Sequence, residues 1–348
     1  MRLRRVAPAL VGGFIVVWGT VAPGAQTNDP IRIRIGTVVP KNSAWHDTLE
    51  YFRQEWLRTL GPGFDIRLIS GGQLGDEDAM LLKVRTGQIE AVGLSSIGLS
   101  RIDRSVSCLQ IPLMFDSWEE LDRVRDRLAP QIERRIEVRG YKVLNWVDGG
   151  WVYAFSKQPA ATPSELRKLK LFTSAGDAET ERLYKGFGFN VVPLPITDAL
   201  TSLQTGAIEA IPTVPLFAQI QGLYKRAPHM TDVRWTPLIG GTVIDVKVWE
   251  RIPAEKRPAL IDAAHKAGDK LRANIRRLDP VSIQEMQKRG LNVVTLDVAA
   301  RASWQRQAEQ AWPRLRGEYC PADLFDAVRA LREELRGQRT APARPTGR

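Results

Sequence analysis

Apolar residues along this chain switch between a period of two and a helical period, and the order of the switches predicts the architecture. Ile31, Ile33 and Ile35 alternate with Arg32 and Arg34, as one buried face of a strand requires. After a loop carrying Pro40, Asn42 and Ser43, the residues Trp45, Leu49, Phe52, Trp56 and Leu57 recur at helical spacing and predict a helix over about 44–60. Residues 64–69 read as the next strand and Gly71-Gly72-Gln73-Leu74-Gly75 as a loop. A helix then ends at Gly87, and a short apolar strand comes next at 89–94. Strand, helix, strand, helix, strand is the signature of an α/β protein with a mostly parallel sheet covered on both faces.

Further along, helices are expected around Trp118 and Leu121 and at about 129–139, then a strand at 142–146. The continuous apolar run Gly149-Gly150-Trp151-Val152-Tyr153-Ala154-Phe155 is rich in β-formers and predicts a crossing into a second lobe. That lobe should hold strands at 169–173 and 190–192 and a helix at 178–185, and a return strand is expected at 241–246. A long helical pattern spans 253 to about 289, with Pro280 expected to bend it because proline removes a helix hydrogen bond. A strand at 291–296 and helices at about 299–315 and 321–335 complete the pattern.

The most informative detail is a near-repeat. Thr86-Gly87-Gln88-Ile89-Glu90-Ala91 and Thr205-Gly206-Ala207-Ile208-Glu209-Ala210 differ at one position, and each closes a helix and opens a strand. Two lobes built alike, with strand ends facing each other, form a clamp. The residues just past those strands, Ser95-Ser96 in one lobe and Thr213-Val214-Pro215 in the other, should face the crevice, where ligands bind in open α/β sheets. The lobes are expected to comprise 26–150 plus about 237–275, and 151–236 plus about 276–335.

Composition then narrows the setting. A chain of 348 residues has length for about two domains. Arg2, Arg4 and Arg5 precede an uncharged apolar stretch at 6–21 and the small residues Ala22-Pro23-Gly24-Ala25, which reads as a cleaved signal peptide over 1–25; a retained anchor is the alternative. The protein is therefore expected in the periplasm, with residues 336–348 as a disordered tail. Of the formal charge of +11, three arginines lie in the leader and four in the tail, leaving +4 on the body. With no basic run interleaved with aromatics, nucleic acid is a poor partner. Cys108 and Cys320 are expected to be two unpaired, small core residues; pairing in an oxidising compartment is the alternative.

Catalytic signals are weak. His46, His229 and His265 are far apart, no Cys-x-x-Cys or His-x-x-x-His pair suggests a metal, and no cofactor motif appears. Ser43, Ser95 and Ser174 lack a nucleophile elbow. Asp76-Glu77-Asp78 is expected to serve a helix start, as is Asp177, and His46 lies in a loop that should reach the crevice.

Gly72-Gln73-Leu74-Gly75, the two Thr-Gly segments, Ile111-Pro112-Leu113-Met114-Phe115 and Thr162-Pro163-Ser164-Glu165-Leu166 occur in an order and spacing that resembles the extracytoplasmic solute receptors of tripartite ATP-independent periplasmic (TRAP) transporters, of the dicarboxylate-receptor type. The resemblance implies a type II periplasmic-binding-protein-like fold: two lobes around a cleft with a long helix crossing both. It also implies a small organic solute as ligand and an integral membrane permease of the TRAP type as partner. Such receptors place an arginine where this chain has Phe172, and many place a second at about Trp151. Phenylalanine cannot supply a guanidinium's donors, so a standard Arg-clamped dicarboxylate is not expected. The expected pocket comprises Trp45, Ser95, Trp151, Phe172 and Thr213, suited to an apolar or aromatic solute, with no catalytic residue. The alternative keeps a carboxylate ligand and recruits another cation, Lys170 or Arg182. An exported hydrolase or isomerase, or a ligand-presenting sensor component, is the rival function on the same fold.

Overall fold

The computed structural model describes residues 31–340. The expected signal peptide and the last residues of the expected tail lie outside them. Nine strands form one hydrogen-bonded sheet: β1 (Ile31–Thr37), β2 (Phe64–Ile69), β3 (Ala91–Ser95), β4 (Tyr141–Ser156), β5 (Lys170–Ser174), β6 (Asn190–Leu194), β7 (Ala210–Thr213), β8 (His229–Asp245) and β9 (Asn292–Val294). Their order is β2-β1-β3-β8-β4-β7-β5-β6, with β9 added to β8. The parallel group β2-β1-β3 belongs to one lobe and β7-β5-β6 to the other. β4 and β8 run antiparallel through both.

The near-repeat does the same work twice. The Glu90 N–H donates to the Arg34 carbonyl at 3.2 Å, the Glu90 carboxylate accepts from the Arg34 N–H at 2.7 Å, and the Arg34 guanidinium reaches the Gly87 carbonyl at 3.2 Å. In the second lobe Glu209 accepts from the Lys170 N–H at 3.1 Å, and Lys170 reaches the Gly206 carbonyl at 3.2 Å. Gly87 and Gly206 both hold positive φ (69° and 80°), the left-handed geometry a helix needs to turn straight into a strand.

The helix Ala44–Leu60 begins where the pattern predicts, capped by Ser43, whose Oγ accepts from the His46 N–H at 3.2 Å. It buries Phe52, Trp56 and Leu60 against β1 and the long helix Arg257–Gln287, and Trp56 Nε1 donates to the Leu260 carbonyl at 3.0 Å. The long helix continues through Gly268, whose missing side chain allows contact with β4: a Cβ there would lie 2.6 Å from the Trp146 carbonyl oxygen. Beyond that crossing, Leu271 and Ile275 pack with Val214 and Leu216 of the second lobe. One helix thus touches both lobes.

Several boundaries differ from the sequence pattern. The two helices expected around Trp118 and Ala129 are one, Trp118–Val138, because Pro130 points to solvent while Leu121, Val124, Leu128, Ile132 and Ile136 form an unbroken buried stripe. The strand at 142–146 and the crossing run at 149–155 are also one, β4, with register shifts at Val143/Asn145, Asp148/Gly150 and Val152/Ala154. The last helix, Ala322–Thr340, extends past 335, and Arg336 pairs with Asp116 and Glu120, so the chain is ordered beyond the expected start of the tail.

The cysteines correct the sequence reading. Cys108 and Cys320 form a disulfide, with Cα atoms 5.1 Å apart. Cys108 sits in the short 3-10 helix Arg104–Gln110, and the chain turns back toward it at Gly317 (φ 93°), just before Cys320. Leu109, Leu315, Leu324 and Phe325 join them in the same core. A separation of 212 residues hides this proximity from the sequence.

Candidate functional site

A cavity of about 320 Å³ lies between the lobes at the carboxyl ends of the strands. Four of the five residues expected to line it do so: Trp45, Ser95, Phe172 and Thr213. Trp45 enters from the first turn of its helix, Ser95 and Thr213 terminate β3 and β7, and Phe172 comes from β5. Val38, Val152, Phe217 and Leu238 extend the apolar wall.

Trp151 does not line the cavity, and the pleat of β4 is the reason. Successive side chains point to opposite faces of a strand, so Val152 faces the cavity and its neighbour is turned away. Trp151 is buried against Trp118, ring centroids 4.7 Å apart, with the Arg234 guanidinium 5.9 Å above its ring. Its backbone N–H donates to Asp279 at 3.0 Å. Lys170 and Arg182, the alternative cations, are also elsewhere: they are exposed and donate to the carbonyls of Gly206 and Ala178. His46 lies outside the wall, its N–H part of the helix start.

The polar groups missed in the sequence come from helix starts. Glu77, in the first turn of the helix Glu77–Arg85, accepts from the Ser95 N–H at 2.6 Å and the Ser95 hydroxyl at 2.8 Å. Burial pushes its carboxyl up, against the opposing hydrogen bonds from Ser95 and Gly98. Asp177 caps the helix Ala178–Gly186 through the Thr180 N–H at 3.1 Å, as expected, and also approaches Arg101 across the cleft. Arg101 is the single Lys or Arg among the described residues on the cavity wall. It lies 3.3 Å from Asp78 of its own lobe and 3.9 Å from Asp177 of the other. No local motif marks it; only its place on the helix Ser96–Ile102, directly after a strand end that faces the crevice, could have suggested it.

Asp148, on the wall where β4 changes register, is fully buried between Arg125 (3.3 Å) and Arg276 (2.8 Å). Burial raises its carboxyl against the pull of Arg276 and Arg125. Asp122 closes the network through both arginines at 2.7 Å. The cluster joins the helix Trp118–Val138, β4 and the long helix at the point where the lobes meet.

A cleft between two pseudo-equivalent lobes, with one helix in contact with both, defines a periplasmic-binding-protein-like receptor of type II. The chain belongs to the bacterial extracellular solute-binding protein family 7, which it matches over residues 35–318. It is 24% identical over 303 residues to the 2,3-diketo-L-gulonate-binding periplasmic protein YiaO of Escherichia coli, covering 85% of this chain and 89% of that one. It is 20% identical to the C4-dicarboxylate-binding periplasmic protein DctP of Rhodobacter capsulatus over 96% of this chain and all of that one. The fold is that of a TRAP periplasmic solute-binding protein from Shewanella oneidensis solved with bound succinate: TM-score 0.81, 20% identity, 87% of this chain and 99% of that one. The family is one of binding proteins, and solute capture in the interlobe cleft is the function the fold supports over an enzymatic one.

Proposed function

We propose that this receptor captures a small solute with an apolar or aromatic body, outside the cytoplasm after removal of residues 1–25, and delivers it to an integral membrane permease of the TRAP type. The observation that carries the solute class is the wall itself: Trp45, Phe172, Val152 and Phe217 line the cavity, and its one described cation, Arg101, already has two carboxylate neighbours. Relatives named for 2,3-diketo-L-gulonate and C4-dicarboxylates, and the succinate-bound neighbour, take carboxylates. Here Phe172 stands on the wall where the resemblance leads one to expect an arginine, and a phenyl ring offers contact area in place of paired donors.

A thermal-shift screen of residues 26–348 against carboxylates and neutral aromatic or aliphatic compounds tests the reading, since a ligand that binds the native state raises the midpoint. Shifts with neutral or aromatic compounds, lost in Phe172→Ala, are expected. Shifts confined to small dicarboxylates and retained in Phe172→Ala would overturn the apolar-solute assignment while leaving the receptor role intact.

A further inference from the structure

Donors and acceptors around the cavity are unevenly committed. Among the wall carboxylates, Asp76 caps the helix Glu77–Arg85 through the Ala79 N–H, Glu77 holds Ser95, and Asp148 is held by Arg125 and Arg276. Asp177 caps the helix Ala178–Gly186 through the Thr180 N–H and, with Asp78, also converges on Arg101. The guanidinium makes no hydrogen bond among the described residues; it is held by charge alone, and its Nη2 is buried without a partner. The contact is also where the lobes meet. Gly176, left-handed at φ 79°, lies so close to Asp78 that a side chain at 176 would collide with it.

We propose that Asp78 and Asp177 set the solute specificity of the cleft by occupying Arg101, so that a carboxylate is turned away and an uncharged polar group, such as a primary amide or hydroxyl, is accepted. The inference rests on the apolar-solute reading above and assigns the polar end of that solute. A carboxylate that approached Arg101 would come within a few ångströms of two aspartates that already offset its charge; Asp177 is largely buried and repels it with little screening, while the exposed Asp78 adds a weaker, screened repulsion. A neutral group meets no such repulsion. With the two aspartates made neutral, the same guanidinium would become a free, planar set of donors facing a cavity, the arrangement suited to a carboxylate.

The test uses isothermal titration of residues 26–348 with two matched pairs: phenylacetate with phenylacetamide, and octanoate with octanamide. The wild type should bind at least one amide about tenfold or more tightly than its carboxylate, a difference of about 1.4 kcal/mol. The Asp78→Asn/Asp177→Asn variant should reverse that preference, and adding Arg101→Gln should abolish the gain. Asparagine serves as well as aspartate at a helix start, so Asp177→Asn alone remains usable should the double variant fail to fold. Equal binding of acid and amide by the wild type, or an unchanged preference in the folded asparagine variant, overturns the inference and leaves the apolar-solute reading standing. If the wild type binds no member of either pair, that reading falls and the inference falls with it.

Discussion

Replacing both Cys108 and Cys320 by alanine should cost this protein a large part of its stability. The bridge joins positions 212 residues apart, and the chain-entropy relation for a loop of that length gives roughly 5 kcal/mol. That is comparable with the whole stability of many folded domains, on the order of 5–15 kcal/mol. The loop encloses most of the second lobe and the whole of the long helix, so its release frees most of the chain in the unfolded state. Guanidinium unfolding of residues 26–348, followed by tryptophan fluorescence, would measure the change. The midpoint should fall and the slope should rise, because an uncrosslinked unfolded chain exposes more surface to denaturant. A loss below about 1 kcal/mol would refute the entropic reasoning, since the bridge would then be constraining an unfolded chain that is already constrained.

Three further outcomes are expected. Burial raises the Asp279 carboxyl from 3.8 to about 7, against the Trp151 N–H bond, with Asp148 adding to the rise and Arg234 opposing it. The folded state therefore holds a proton that the unfolded state releases at lower pH, so this group stabilises fully below about 4 and its contribution is lost as pH rises toward 7. Unfolding midpoints between pH 4 and 8 should decline from this group in the wild type, and the decline should shrink in Asp279→Asn. Asp148→Asn should cost about 3–5 kcal/mol, as in other cases where one partner of a buried ion pair is removed, because Arg125 and Arg276 would lose the carboxylate between them; a chemical-denaturation midpoint close to wild type would exclude this. Gly150→Ala should destabilise by about 1–3 kcal/mol from backbone strain at φ 126°, and more from contact with Asp279, 2.8 Å from the added Cβ; calorimetry would show it as a lowered Tm.

Much of the scaffold was legible because it is local. Helix starts at Ser43 and Asp177, and the two Thr-Gly turns, depend on residues three or four apart and appear as expected. Ser95 and Thr213 were found from the rule that strand ends face the cleft. Trp151 was misplaced because a one-residue change of face on a bulged strand leaves no trace in an apolar run, and Val152 took its position. Arg101, Asp78 and Asp177 come from three helices in two lobes, so only folding brings them together. The same holds for Cys108 and Cys320, whose meeting depends on the turn at Gly317.

The passage of β4 and β8 through both lobes bears on how the receptor must open. Sixteen- and seventeen-residue strands paired along most of their length leave no slack tether on which one half could swing. Opening is then expected as a flexure of that hydrogen-bonded ribbon, easiest where the ladder slips at Asp148/Gly150. The receptor then behaves as a leaf spring. Its grip on a solute is set partly by the stiffness of backbone that the solute never touches, and substitutions at that flexure can retune affinity and release together while every contact in the pocket stays the same.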